Sequence, residues 1–464
     1  MTEPSTQPAD RGSGQQTQEA DRLREILRAP GYLRVLVFAA FIGIPVSLIA
    51  FWFLVGLHEL EHGLWANLPH GLGWDAPPWW WPLPLLLVAG AVVGLLAGRL
   101  PGAGGHIPAS GLHTGGTSPV TLPGVLLAAV ASLPFGAVLG PEAPLIALGG
   151  GLALLFHGLT RAPSTPQSTA LLGAAGAAAA IAAIFGNPLI AAVLLIEVAG
   201  VGGPQLFAVI LPALVSSGVG ALVFTGFGRW TGLETGNLSL QLSKPLPRLD
   251  AADVLWTIPI AVALAVLLHP MLRAARRLAA YVAGGVLSRT VLCAVAAGVC
   301  AAVYALITGR TPADVALSGQ TTLGRLAADP HAWGVGALIA VLLLKGVAYT
   351  LCLGSLRGGP VFPALFLGAA VGALLAPLPG LGLVPAMAAG MAAATAATLR
   401  LPVSSVVLVV LLLGSSAMMP IVILAAVIAF VATELLPAGT AMPPSTGAEQ
   451  PTAEAGNPEA AGAP

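Results

Sequence analysis

Glu142 sits between Pro141 and Pro144 in GAVLGPEAPLIALGG, residues 136–150. Only 8% of the chain's residues are charged, so an acid at the head of an apolar run is a group that holds or releases a proton where few others can. Proline near the first turn of a helix gives up only an amide that lacks an intrahelical acceptor, so G-P-x-x-P reads as a helix start. The free N–H groups of such a start, and the positive end of its dipole, suit an anion. Glu142 then reads as the protein's own anion, a carboxylate that occupies a site built for a free ion and leaves it when protonated or outcompeted. The simpler alternative is a helix cap at a wet surface. A second constellation is His58-Glu59-Leu60-Glu61-His62, which satisfies H-E-x-x-H. On a helix its histidines fall one turn apart, as zinc chelation requires, with Glu59 placed as a general base. An intramembrane zinc metalloprotease is therefore a remote alternative. It needs a third ligand, and all seven aspartates fall in tails or polar connections.

The elements that position these groups belong to a membrane. Of 464 residues, 56% are hydrophobic, 58 are glycine and 40 are proline, and the mean hydropathy is +0.90, far above that of a water-soluble domain. Apolar stretches recur from about residue 35 to 436; they are continuous and Ala/Leu-rich, so they predict helices and not alternating strands. Residues 35–57 are long enough to span a hydrocarbon core of ~30 Å, whereas 145–156 and 361–377 are short or broken by Gly and Pro. Backbone that leaves the helix at membrane depth must be buried in protein or line a wet cavity. Residues 1–30 read as a cytoplasmic tail with a short amphipathic helix in DRLREILRAPGYLR. Arg22, Arg24, Arg28 and Arg34 precede the first span and place the N-terminus on the cytoplasmic side of a cell membrane. Residues 438–464 are Pro/Ala/Glu-rich and predict disorder, with no CBS or other ligand-binding domain appended. Net charge is zero, which gives no sign of nucleic acid as a partner. Cys293, Cys300 and Cys352 lie in apolar stretches without metal-type spacing and read as small buried residues. No cofactor is called for.

A repeat runs through the glycines and prolines. GPEAPLIALG (140–149) and GPVFPALFLG (359–368) share G-P-x-x-P-x-x-x-L-G, and NPLIAAVLLIEVAG (187–200) is echoed by LPVSSVVLVVLLLG (401–414). The blocks keep their order, with 44 residues from Pro144 to Pro188 and 39 from Pro363 to Pro402. Two homologous halves, about 31–228 and 250–437, follow, with a site between them near the membrane centre. A third Gly-rich break, RLPGAGGHIPAS (99–110), predicts another helix start, so that three would converge on the anion.

GGHIP (104–108), the G136-x-x-x-G140-x-E142-x-P144 pattern, NPLIAAVLLIEV, GGPVFP (358–363) and RLPVSSVVLVV, in this order over about 31–437, resemble the CLC family of chloride channels and proton-coupled anion exchangers. The resemblance implies an all-α polytopic fold, an antiparallel inverted repeat with broken, tilted helices. It also implies a homodimer in the bilayer with one anion path per subunit, and transport of chloride or a similar small anion, possibly with protons, as in voltage-gated chloride channels. Glu142 is the implied gating glutamate. The family's anion-coordinating serine falls on Gly105, flanked by Gly104 and Ile107, and its pore phenylalanine falls on Val361, with the amides of Val361 and Phe362 at the helix start. The family's C-terminal pore tyrosine has no counterpart, since the last tyrosine is Tyr349. The inner glutamate of proton-coupled members falls on Val198, which carries no proton and favours passive, channel-like conduction over a proton/anion antiporter. His106 at the inner mouth and the intramembrane Lys345 are candidates for tuning the potential along the path. Glu197 reads as a helix-end anchor, and Arg400 as a cytoplasmic boundary.

Overall fold

The computed structural model describes residues 24–437 apart from 26, 29, 113–116, 160–165, 200–203, 234, 236–239 and 241–247. The C-terminal tail, and all but fragments of residues 1–30, lie outside the described residues. Among the described residues, and leaving aside the one-turn helix Leu68–Gly71, seven helices precede the polar stretch: α1 Pro30–His62, α2 Pro82–Arg99, α3 Leu122–Ser132, α4 Glu142–Leu159, α5 Pro166–Phe185, α6 Pro188–Ala199 and α7 Pro204–Thr231. Eight follow it: α8 Ala251–Ala283, α9 Val286–Thr308, α10 Gln320–Ala328, α11 Gly334–Ser355, α12 Val361–Leu375, α13 Leu383–Leu399, α14 Pro402–Leu413 and α15 Met419–Leu435. Among the described residues nine helical segments are long and apolar enough to cross a membrane. Others are not: α6 and α14 have 12 residues each, about 18 Å of helix. Such segments cannot span lipid by themselves and must be walled in by protein. The outside is correspondingly greasy, with Leu222, Trp230 and Leu435 more than three-quarters exposed. This is an all-α, multi-pass integral membrane protein.

Helix contacts in the first half return in the second. α4 packs on α5 as α12 packs on α13; α5 packs on α7 as α13 packs on α15; α1 packs on α7 as α8 packs on α15. The tightest of these crossings rest on glycine. A Cβ on Gly149 would overlap the carbonyl of Gly176, and one on Gly368 would overlap the carbonyl of Gly390. In a membrane, where apolar side chains gain little by leaving lipid for protein, such close backbone contact supplies much of the helix association. Gly149 and Gly368 are the last residues of the repeated G-P-x-x-P-x-x-x-L-G blocks, so the motif carries both a helix start and a helix crossing.

The two halves meet at the heads of these same helices. Gly140 N–H donates to Gly359 O at 2.8 Å and Gly359 N–H donates to Gly140 O at 2.6 Å, an isolated antiparallel bridge. Gly140 and Gly359 occupy the same position of the repeated block. An antiparallel pair between a residue and its own repeat equivalent is what a local two-fold axis generates. The α2–α9 and α6–α14 contacts cross between the halves in the same way.

Replacing Gly368 by alanine should lower the thermal midpoint of the detergent-solubilised protein by an amount equivalent to about 1–3 kcal/mol of overpacking. Gly56→Ala, on α1 with nothing within 4 Å of the added carbon, should leave the midpoint unchanged or raise it, since alanine is the better helix former. Equal midpoints for the two variants would contradict the packing role assigned to Gly368.

Candidate anion site

Glu142 opens α4, and its carboxylate crosses to the other half of the chain. Oε1 accepts a hydrogen bond from the Phe362 N–H at 3.0 Å, at the start of α12. Pro360 and Pro363 carry no N–H, so Val361 and Phe362 are the donors that the head of α12 offers. Glu142 is 2% exposed, and Val361 and Phe362 are equally buried. Oε2 has no hydrogen-bond partner among the described residues. The carboxylate lies directly on the Gly140–Gly359 bridge: a Cβ at Gly359 would collide with Oε2, and one at Gly140 with both oxygens. The glycines of the motif are thus the floor of the carboxylate's seat. Helix-start amides of this kind also bind small anions.

One face of α11 braces this arrangement. Lys345, Tyr349 and Cys352 are spaced i, i+4 and i+7. Tyr349 O–H donates to Pro360 O at 2.8 Å, and Cys352 Sγ accepts from Val138 N–H at 3.4 Å. Tyr349, the last tyrosine of the chain, thus supports with its hydroxyl the turn that presents α12 to Glu142. Lys345 is fully buried, with Nζ donating to the carbonyls of Asp314, Val315, Ala316 and Leu317 at 3.0–3.3 Å and standing 5.1 Å from the Phe366 ring centre. Its recorded partners are carbonyls, not the Glu142 carboxylate. Two aspartates assigned to polar connections are also buried. Asp253 lies in the first turn of α8 in a capping box with Asp250, and Asp314 takes Arg310 Nε at 3.1 Å and Arg325 Nη2 at 2.7 Å. Nothing in the local sequence separates a wet turn from one that the surrounding helices enclose.

The Gly-rich break at 99–110 departs from expectation. It forms one-turn 3₁₀ segments at Pro101–Gly104 and Pro108–Ser110, and the next described helix is α3. Positive φ at Gly102, Ala103, Gly104 and Gly105 keeps α-helix from running through these four residues. Two helix starts, not three, therefore meet at the carboxylate among the described residues. Gly104 is buried, Gly105 and Ile107 are half-buried and His106 is exposed. A side chain at Gly105 would meet Val125 of α3, and Ile107 packs on the apolar core. The loop is held to the head of α12 by Arg357, which the sequence reading passed over. Its Nη2 and Nε donate to Ala103 O at 3.0 and 3.3 Å.

Glu197 caps α14, accepting from Val403 N–H at 2.9 Å and from Ser404 N–H at 2.7 Å. Val198 is half-buried against apolar neighbours. Arg400 ends α13 with φ 57° and pairs with Glu434 at 3.4 Å. The H-E-x-x-H pentad lies at the end of α1, and among the described residues no group of three or more His, Cys, Asp and Glu side chains stands close enough to hold a metal.

The family model described as Voltage gated chloride channel matches residues 85–434. The chain belongs to this family. Curated relatives of this CLC chain include proteins named "Putative ion-transport protein YfeO" from Salmonella choleraesuis and Salmonella newport, each 27% identical over 363 residues, 75% of this chain and 82% of theirs. Among solved structures, a slow cyanobacterial Cl⁻/H⁺ antiporter superposes with a TM-score of 0.73 at 20% identity, covering 88% of this chain and 96% of that one. A CLC-type fluoride/proton antiporter gives 0.66 at 19% identity, with 87% and 96% covered. These likenesses place the fold; the chain carries out CLC-type anion transport.

Two substitutions check the site. Gly359→Ala should expel the Glu142 carboxylate, so that anion efflux from liposomes moves toward the rate of Glu142→Ala; an unchanged rate would mean that the seat tolerates a methyl group. Glu197→Ala should destabilise the protein by about 1–3 kcal/mol, the cost of leaving two helix-end amides and the Ser404 hydroxyl without their acceptor, read as a lower thermal midpoint.

Proposed function

We propose that this CLC protein is a proton-coupled antiporter for chloride or a similar small anion, working in the cell membrane as a homodimer with a cytoplasmic N-terminus and one path per subunit. The observation that carries the reading is the Glu142 carboxylate, buried and hydrogen-bonded to the Phe362 amide at the head of α12. An incoming anion and the carboxylate compete for the same amides, so one displaces the other. Proton uptake neutralises Glu142 and removes the charge that holds it there, which links departure of the acid to arrival of a proton. Both antiporter structures named above are proton-coupled, one with chloride and one with fluoride.

The second reading is passive, channel-like conduction gated by the same glutamate. It is favoured by Val198, an apolar residue at the position where the resemblance puts a proton-carrying acid. Coupled exchange then requires protons to reach Glu142 by water or another side chain.

Anion efflux and external pH, recorded together on liposomes holding the purified protein, separate the two. Uphill proton movement driven by a chloride or fluoride gradient, and lost in Glu142→Ala, is the expected result. Efflux that moves no protons, and that accelerates in Glu142→Ala, would replace the antiporter by the channel. No flux of either anion would overturn both.

A further inference from the structure

Transport as described leaves one group of charges unused, on the C-terminal half of α8. Gly382 N–H donates to Asp253 Oδ1 at 3.0 Å, so α13 sets out beside the first turn of α8 and packs along it. Its 17 residues end at the level of His269. There Arg400, the C-cap of α13, pairs with Glu434 in the last turn of α15 at 3.4 Å. α8 runs on past both ends and carries His269, Arg273 and Arg276 at i, i+4 and i+7, one face of the helix. The arginines form one cluster: Arg273, Arg276 and Arg400 all act electrostatically on His269, and Arg273 and Arg400 on Arg276.

Little in the protein answers that charge. Among the described residues Glu434 is the acid paired within the cluster, and neither Arg273 nor Arg276 has an ion pair or a hydrogen bond from its guanidinium. The carboxyl ends of α13 and α15 add roughly half a negative charge each. Three guanidiniums against one carboxylate and two helix ends leave about one positive charge uncompensated, and the exposed Arg277 adds to the excess. Arg273 and Arg276 are half-buried, and gathering like charges out of water without a counter-ion is costly. A second observation points to the same place. His269 is 8% exposed, and its Nε2 has no hydrogen-bond partner among the described residues, although buried imidazole nitrogens as a rule have one.

We propose that this cluster binds a phosphate group, the headgroup of an anionic phospholipid, through Arg273, Arg276 and Arg400, with His269 Nε2 as a further contact. Guanidinium forks match phosphate oxygens, and basic pockets between membrane helices bind such headgroups. What flanks the cluster favours a lipid as the source. Val266 and Leu267 on α8 are about half exposed, and Leu435, next to Glu434, is 81% exposed. They form an apolar wall on which acyl chains can lie, and a free phosphate has no use for one. Such a site serves an exchanger and a channel alike.

The test is the thermal midpoint of the purified full-length protein in detergent, with dioleoylphosphatidylglycerol or dioleoylphosphatidylcholine added at equal concentration and ionic strength. The anionic lipid should raise the wild-type midpoint by about 3 °C or more over the zwitterionic one. With Arg273→Gln and Arg276→Gln combined, that difference should fall below about 1 °C, while the lipid-free midpoint stays at or above that of wild type because the repulsion is relieved. His269→Ala should raise the half-effective lipid concentration by about threefold or more. Arg289→Gln removes a cation near the start of α9, where its guanidinium donates to Tyr281 O and lies over the Tyr281 ring, and should keep the full response. A response undiminished in the double variant overturns the proposal, as does one lost equally in Arg289→Gln, which would reflect the general field of a basic face. A lipid-free midpoint several degrees lower in the double variant overturns the uncompensated charge on which the site depends. Millimolar orthophosphate that reproduces the wild-type shift, and fails to in the double variant, overturns the lipid source and assigns the site to a free phosphate.

Discussion

A carboxylate from one half of the chain resting on the backbone amide of a helix from the other half is the contact around which this protein is arranged. Glu142 reaches Phe362 only because Gly140 and Gly359 bring the heads of α4 and α12 within backbone hydrogen-bonding distance. That approach leaves no room for a Cβ at either glycine while the acid is in place. The bridge and the buried acid therefore depend on each other. Prolines at 141, 144, 360 and 363 serve the same end, since they start helices without leaving further amides to be satisfied.

The two helices that begin at this site are unequal: α12, with 15 residues, is too short to cross a bilayer, whereas α4, with 18, is long and apolar enough to do so. The protein surrounds these segments with long outer helices such as α1, α8 and α11, whose outer faces carry large exposed apolar side chains. Inside, glycine lets α4 pass α5, and α12 pass α13, at backbone contact, so the starts are fixed by packing on both sides.

The charges that remain inside are few, and most are held by backbone. Lys345 is satisfied by four carbonyls of the turn after Asp314, and Glu197 by the amides that open α14. Each fixes the end of a structural element near the path. Fixed dipoles and immobile ions suit a transport site, because they need not reorganise when the mobile charge arrives. Glu142 differs from the rest in having an oxygen, Oε2, with no partner among the described residues.

Much of this was legible in the amino-acid sequence. Hydropathy and the repeated G-P-x-x-P blocks determined a helical membrane protein of two related halves, and the position of Glu142 at a helix start followed from proline chemistry, which is local. The amides of Val361 and Phe362 were named by the resemblance to the CLC family. What the tertiary structure decided is which of these local features meet. The reach of Glu142 across to α12, the pairing of Asp314 with Arg325, the support of Pro360 by Tyr349 and the place of Arg357 beside Ala103 join residues from 11 to 254 positions apart. The Gly-rich break at 99–110 yields only one-turn 3₁₀ segments among the described residues, because glycine and proline mark a break without stating which way the chain leaves it. Local propensity is written in neighbouring residues, whereas the partner of a buried charge is chosen by the packing of the whole chain.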